Sequence, residues 1–183
     1  MNQKKYVICD IDGTIANLEH RLHFVFNEDG TKKRYKDTDW EGFHKACADD
    51  TPYEDVIAVV RALSASGYRV VFVSGRNATV RDETITWLYK HIGVLQFPVL
   101  LMRNAADRRP DTEVKLEMAQ REGLTPDNVL CVLDDRQSDK NLLENTELHI
   151  YVAAYINEEL WRGNSITPET IENAIAAFCG GAR

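Results

Sequence analysis

The sequence predicts an α/β fold built on a mainly parallel sheet, and three observations carry that reading. Five short apolar, β-branched runs recur at residues 6–9, 69–73, 98–102, 129–133 and 148–153. Their hydrophobicity is continuous rather than alternating, which suits strands covered on both faces. Helix-period segments lie between them, and this alternation is the pattern of a parallel sheet with right-handed crossovers and helices on both sides.

The helical segments are justified in turn. Residues 54–66 place Val56, Ile57, Val59, Val60 and Leu63 on one broad face and stop at Gly67. Residues 79–91 carry Ile85 and Leu88 at helical spacing, with Gly93 beyond, and residues 112–122 stop at Gly123. A shorter helix is expected at 138–145. The last, at 168–178, has Thr167 as N-cap, Pro168 at its first position, and Ile171, Ala174, Ile175 and Phe178 on one face. One interval breaks the rhythm. Residues 15–53 hold an apolar stretch at 18–26, a polar stretch at 27–37 and a helix at 39–48 containing Trp40 and Phe43. An interval of that length in a compact domain is usually functional, so it reads as a small helical lid inserted after the first strand of a single domain spanning 1–183.

Composition narrows the function. A hydrophobic share of 44% is enough for a true core, which argues against disorder. No apolar run reaches the roughly 20 residues that span a bilayer, and the apolar stretch at 6–9 is too short for a signal peptide. The 22 basic against 29 acidic residues give a net charge of −7, which disfavours extended duplex binding by counterion release. It leaves open a protein that handles one phosphate end. Cys9, Cys47, Cys131 and Cys179 are widely spaced and form no C-x-x-C. A reduced, cytoplasmic setting follows.

The residues suited to chemistry gather at the ends of the expected strands. Asp10-Ile11-Asp12-Gly13-Thr14 follows the first, Ser74-Gly75-Arg76 the second, and Asp134-Asp135-Arg136 the fourth, while Lys115 lies on the helix after the third. The C-terminal edge of such a sheet is where ligands bind. A hydroxyl, a backbone donor and a guanidinium suit a phosphoryl group. If the first and fourth strands are neighbours, four carboxylates converge. Two bare charges about 4 Å apart repel by about 4 kcal/mol at an effective dielectric of 20. All-oxygen ligands without His or Cys favour Mg²⁺ as the cation that relieves this.

These residues resemble the four motifs of the haloacid-dehalogenase-like (HAD) phosphohydrolases, present in order as Asp10-Ile11-Asp12-Gly13-Thr14, Ser74, Lys115 and Asp134-Asp135. A narrower resemblance is to the 3′-phosphatase half of phage polynucleotide kinase and its stand-alone relatives. It rests on Ser74-Gly75-Arg76, Asp134-Asp135-Arg136, Asp111 four residues before Lys115, and Arg21 nine residues after Asp12. The resemblance implies a Rossmann-like three-layer sandwich with a five-stranded sheet. It also implies an Mg²⁺-dependent phosphomonoesterase acting on a nucleotide or polynucleotide end. Asp10 is then the nucleophile and Asp12 the general acid/base. Arg21, Ser74, Gly75, Arg76, Asp111 and Lys115 bind phosphate or substrate. Asp10, Asp12 (through its backbone carbonyl), Asp134 and Asp135 form the metal site, with Asp135 favoured over Asp134 as direct ligand. No G-x-x-x-x-G-K-[S/T] loop occurs, so kinase activity is not expected from this chain.

Plainer readings compete. Arg21 could lie on the lid surface, Arg76 could pair with Glu83, and Asp111 with Lys115 form an ordinary i,i+4 pair. The basic run Lys32-Lys33-Arg34-Lys36 is usually a solvated loop, and Trp40 and Phe43 more often pack a helix onto the body than stack on a base. Other outcomes are a phosphatase of free mononucleotides or another small phosphorylated metabolite, or a phosphate- or nucleic-acid-binding module without catalysis. Asp10 and Asp12 together speak against the last, since binding alone needs no nucleophile.

Overall fold

The computed structural model describes residues 5–93, 95 and 99–135. In chain order the strands are β1 (Tyr6–Cys9), β2 (Ala16–Asn17), β3 (Thr51–Pro52), β4 (Arg69–Asn77), β5 (Val99–Arg103) and β6 (Val129–Leu133). The helices are α1 (Trp40–Lys45), α2 (Glu54–Ala65), α3 (Arg81–Ile92) and α4 (Asp111–Arg121).

β1 lies between β4 and β6 in a four-stranded sheet ordered β5-β4-β1-β6. Every pairing is parallel, with Ile8 opposite Val71 on one side and Val132 on the other. The strands are apolar throughout because both faces are covered. Val7, Cys9, Val70, Phe72 and Leu133 pack with Ile57, Val60 and Leu63 of α2 and Trp87, Leu88 and Ile92 of α3. On the opposite face, Ile8, Val71, Val73 and Val132 pack with Ala119 of α4 and with Leu124. Alternate residues of one strand therefore enter different layers. The result is the three-layer α/β arrangement, with four parallel strands; the fifth run, at 148–153, lies outside the described residues. So do the helices expected at 138–145 and 168–178, Arg136 and Cys179.

Several boundaries differ from the sequence reading. β4 continues through Ser74, Gly75 and Arg76 to Asn77, with irregular register against β5 between Ser74 and Asn77. The helix expected from 79 starts at Arg81, because Asn77 accepts a hydrogen bond from Thr79 N at 2.9 Å and opens a 3₁₀ turn over Ala78–Val80. The helix expected at 39–48 divides into α1 and a 3₁₀ turn at Ala46–Asp49. Glu19–Phe24 is also 3₁₀.

β2 and β3 form a two-residue antiparallel pair, Ala16 with Pro52 and Asn17 with Thr51. The intervening segment thus leaves and re-enters the body at adjacent points. Its far end is tied to α3, where buried Trp87 donates through Nε1 to the Asp50 carbonyl at 2.7 Å. Trp87→Phe keeps most of the apolar contact but leaves that carbonyl unsatisfied. The expected cost is about 1–3 kcal/mol, measurable as a lower urea midpoint with an unchanged m-value.

Candidate active site

The acids at the sheet edge are brought together by strand pairing. Cys9 lies opposite Leu133, and Asp10 N continues the ladder by donating to Leu133 O at 2.8 Å. The next residues, Asp10 on one strand and Asp134-Asp135 on the other, therefore emerge side by side. One carboxylate oxygen from each of Asp10, Asp134 and Asp135 falls within 4.8 Å of the others. Lys115, buried on α4, places Nζ 3.0 Å from Asp10 Oδ1 and 2.8 Å from Asp134 Oδ2. Burial dominates at Asp10 and pushes its carboxyl up to about 7; Lys115 pulls the other way, while Asp134 and Asp12 add to the rise. Among the described residues no donor is aligned on either Asp10 oxygen, although Lys115 Nζ stands 3.0 Å from Oδ1. A buried carboxylate whose Oδ2 has no donor among the described residues, beside two further carboxylates, fits a hard divalent cation, which takes oxygen ligands and offsets their charge.

The turn after β1 fits closely against Asp135. Gly13 has φ +86°, and a Cβ there would lie 2.4 Å from Asp135 Oδ2, so both conformation and space call for glycine. Asp135 N donates to Thr14 Oγ1 at 3.0 Å.

The Asp12 carboxylate takes no part in the three-acid group, so three carboxylates converge where the sequence suggested four. The chain folds back at Ile11, whose carbonyl accepts from the amides of Ile15 and Ala16 at 3.0 and 2.9 Å. Asp12 Oδ1 accepts from Arg21 Nη2 at 2.5 Å and from Arg76 Nε and Nη2 at 2.9 and 2.7 Å. Burial works to raise the Asp12 carboxyl, but Arg76 and Arg21 outweigh it and hold the group below the usual carboxylate range. Arg21 and Arg76 are both fully buried, so Arg21 is no surface residue and Arg76 pairs with Asp12 rather than Glu83.

Both guanidiniums reach a second acid that the sequence reading missed. Asp50, also buried, accepts from Arg21 Nε and Nη2 at 2.7 and 2.8 Å and from Arg76 Nη2 at 2.5 Å. His20 Nε2 is 3.0 Å from its Oδ1. Arg21 also lies over the Phe43 ring, 4.4 Å from its centroid, and Phe43 meets Trp40 edge-on at 5.9 Å. Phe43 thus packs against a site arginine. No motif marks Asp50; the only available hint was that two arginines in one site require more than one anion.

Ser74 is fully buried and its Oγ accepts from Arg76 N at 3.2 Å. Gly75 lies against Asp111, whose Oδ1 would be 2.6 Å from any added Cβ, so this glycine is needed for close approach. Asp111 pairs with Arg103, a second residue that the sequence reading did not name. Arg103 also donates to the Gly75 carbonyl at 3.2 Å. The structure therefore gathers Asp10, Asp134, Asp135 and Lys115 into one group and Asp12, Arg21 and Arg76 into a neighbouring one. Ser74 adjoins the second through Arg76, and Gly75 contacts Asp111.

The HAD-type family model described as "Polynucleotide kinase PNKP phosphatase domain" matches residues 4–153. The chain belongs to this family. As a PNKP-type phosphatase domain it is similar to a provisionally named bifunctional polynucleotide kinase/RNA ligase of Autographa californica nuclear polyhedrosis virus, 28% identical over 131 residues. That match covers 71% of this chain and 16% of the viral protein. Two solved structures are also similar, each 27% identical. One, a Pnkp1/Rnl/Hen1 complex, has a TM-score of 0.60 over 78% of this chain and 42% of that one. The other, described as the Pnkp1/Rnl/Hen1 RNA repair complex, has a TM-score of 0.56 over 76% and 38%. The chain thus spans less than half the length of each of these relatives.

Two outcomes follow for this PNKP-type domain. Asp10→Asn removes a buried charge while keeping the shape of the side chain, so the metal-free protein should melt at a higher temperature. A carboxyl raised to about 7 is already neutral at pH 5 and ionised at pH 8, so the gain should be larger at pH 8. Calorimetry at the two pH values, in EDTA, reads this. Asp50→Asn leaves two buried guanidiniums with one carboxylate, and breaking a buried ion network of this kind costs about 3–5 kcal/mol. Chemical denaturation should locate the loss.

Proposed function

We propose that the chain is a divalent-metal-dependent phosphomonoesterase that removes a phosphate from a polynucleotide end, with a 3′-phosphate as substrate. The observation that carries this reading is the state of Asp10: buried, one of three converging carboxylates, with Oδ1 3.0 Å from the Lys115 ammonium. A buried carboxylate placed beside further carboxylates that could hold a cation, and held by an ammonium, is arranged to meet an electrophilic phosphorus.

In this reading Asp10, Asp134 and Asp135 hold Mg²⁺, together with the Asp12 backbone carbonyl, and Asp135 is favoured as the direct ligand because Asp134 already pairs with Lys115. When bound, the ion neutralises charge shared by carboxylates and phosphate. An Asp10 oxygen forms a bond to phosphorus as the ester P–O bond breaks, and Asp12 gives the departing alkoxide its proton. Water then attacks the aspartyl-phosphate and loses its proton to Asp12, and the Asp10–phosphorus bond breaks to release inorganic phosphate. Ser74, the Gly75 amide and Lys115 bind the phosphoryl oxygens, where charge accumulates. Arg21 and Arg76 bind substrate while holding Asp12, and Asp111 orients Arg103 beside Gly75. Asp12 must be protonated for its first step, so the hold of Arg21 and Arg76 that keeps it ionised in this structure has to weaken as the phosphate binds.

Residues 15–53 serve as a small lid on a single domain of residues 1–183. Kinase chemistry is not assigned to these residues. The similarity to proteins named for polynucleotide kinase and RNA repair supports a polynucleotide rather than a sugar phosphate or free mononucleotide, and two of those names mention RNA. No helix among the described residues is long and apolar enough to cross a membrane. Cys9, Cys47 and Cys131 are buried and unbridged, as suits a cytoplasmic setting.

The test is phosphate release from 3′-phosphorylated RNA and DNA strands, 5′-phosphorylated strands, nucleoside monophosphates and sugar phosphates, each with Mg²⁺ or EDTA. Turnover should be highest on 3′-phosphorylated strands, abolished by EDTA, and reduced at least about 10³-fold by Asp10→Asn. Undiminished turnover in EDTA sinks the metal-dependent reading. A preference of orders of magnitude for sugar phosphates sinks the substrate, and release from none of the panel leaves a binding module.

A further inference from the structure

The basic run in the inserted segment gains a second feature in the structure. The chain carries a net charge of −7, yet residues 32–36 read Lys-Lys-Arg-Tyr-Lys with no acid among them. Tyr35 is 70% exposed, and Lys32, Arg34 and Lys36 are exposed around it. Among the described residues, nearby acids neutralise only Arg34 of the run. Asp37 pairs with Arg34 alone, at 2.6 Å. Asp29 accepts from Thr31 N and Oγ1 at 2.9 and 2.6 Å, and Asp39 accepts from Gly42 N at 2.8 Å. Lys33 donates to the His23 carbonyl at 2.7 Å, a neutral partner. Among the described residues, no carboxylate pairs with Lys32 or Lys36.

The run is also anchored to elements that carry site residues. Lys33 N donates to Val25 O at 2.9 Å and Asp39 N to Phe24 O at 3.2 Å. Both acceptors adjoin or end the 3₁₀ turn that carries Arg21. On its other side begins α1, whose Phe43 lies under the same guanidinium. The cationic run is therefore anchored at both ends to elements that touch the arginine on Asp12.

We propose that Lys32, Tyr35 and Lys36 form a track for the single-stranded polynucleotide leading to the phosphorylated end, with Tyr35 stacking on a base and the lysines on phosphates. Exposed aromatics interleaved with cations are how single strands are gripped without sequence preference. A duplex keeps its bases stacked and gives such a tyrosine no partner. The inference rests on the polynucleotide reading above and names the part of the substrate beyond the reacting phosphate.

The test compares a nucleoside 3′-monophosphate with 3′-phosphorylated single strands of ten nucleotides, in RNA and DNA, using the full chain, Lys32→Glu/Lys36→Glu and Tyr35→Ala. The wild-type KM should be at least about tenfold lower for the strands at low salt. The variants should erase most of that length preference, and kcat on the strands should change little. Each lysine taken away from a phosphate should flatten the log–log salt dependence of strand binding by about 0.7, read by fluorescence anisotropy with 3′-hydroxyl strands. Equal KM for both lengths in the wild type overturns the track and spares the phosphatase reading. Variants that alter the two lengths in equal proportion overturn it as well. If neither nucleotide substrate is hydrolysed, the polynucleotide reading fails, and anisotropy still decides the track: strand binding that disappears in the variants supports it, and unchanged or absent binding overturns it.

Discussion

Charge neutrality among buried side chains governs this site. Arg21 and Arg76 are withdrawn from water within reach of one another, a placement that is tolerable only because Asp12 and Asp50 lie between them. Lys115 performs the matching task between Asp10 and Asp134. The two groups differ in balance. The arginine group has two cations and two anions, whereas the group around Lys115 has three carboxylates and one ammonium. That surplus of negative charge, with the raised Asp10 carboxyl that results from burial, is what a divalent cation would offset in the proposed reading.

The same network joins parts of the chain that fold by different rules. Arg76 sits on a strand whose position follows from two-sided apolar burial. Arg21 and Asp50 come from short 3₁₀ turns and a two-residue ladder, which have little core of their own. Their placement depends on ion pairs, the Arg21–Phe43 contact and the Trp87 hydrogen bond. Residues 15–53 are therefore tied to the sheet by polar atoms of the site as well as by the apolar Ile15 and Ala16 in the core.

This contrast explains what could be read from the sequence. β1 and β6 were legible to the residue, because continuous apolar runs leave no doubt about double-sided burial, and α2 was legible from its apolar face. The extension of β4 was not, since Ser74, Gly75 and Arg76 are polar and their strand geometry comes from tertiary pairing. The helix after it started late because the Asn77 side chain opened a 3₁₀ turn first. Asp10, Asp12, Ser74, Lys115 and Asp134-Asp135 stood out because strand-end position and local spacing mark them. Asp50 and Arg103 did not. Asp50 meets Arg21 across 29 residues and Arg76 across 26, and no local pattern encodes a contact made at that range.

The short β2–β3 stem has a consequence for how such a domain could change over evolutionary time. Because the segment departs and returns at neighbouring positions, its middle could be lengthened, shortened or exchanged without altering the order of the main sheet. Arg21 and Asp50 lie close to the two ends of that segment and interlock with Arg76 on the sheet. An exchange that carried one without the other would strand a buried charge. Arg21 and Asp50 should therefore be inherited as a unit, while the sequence between them, apart from the Phe43 contact, is free to diverge.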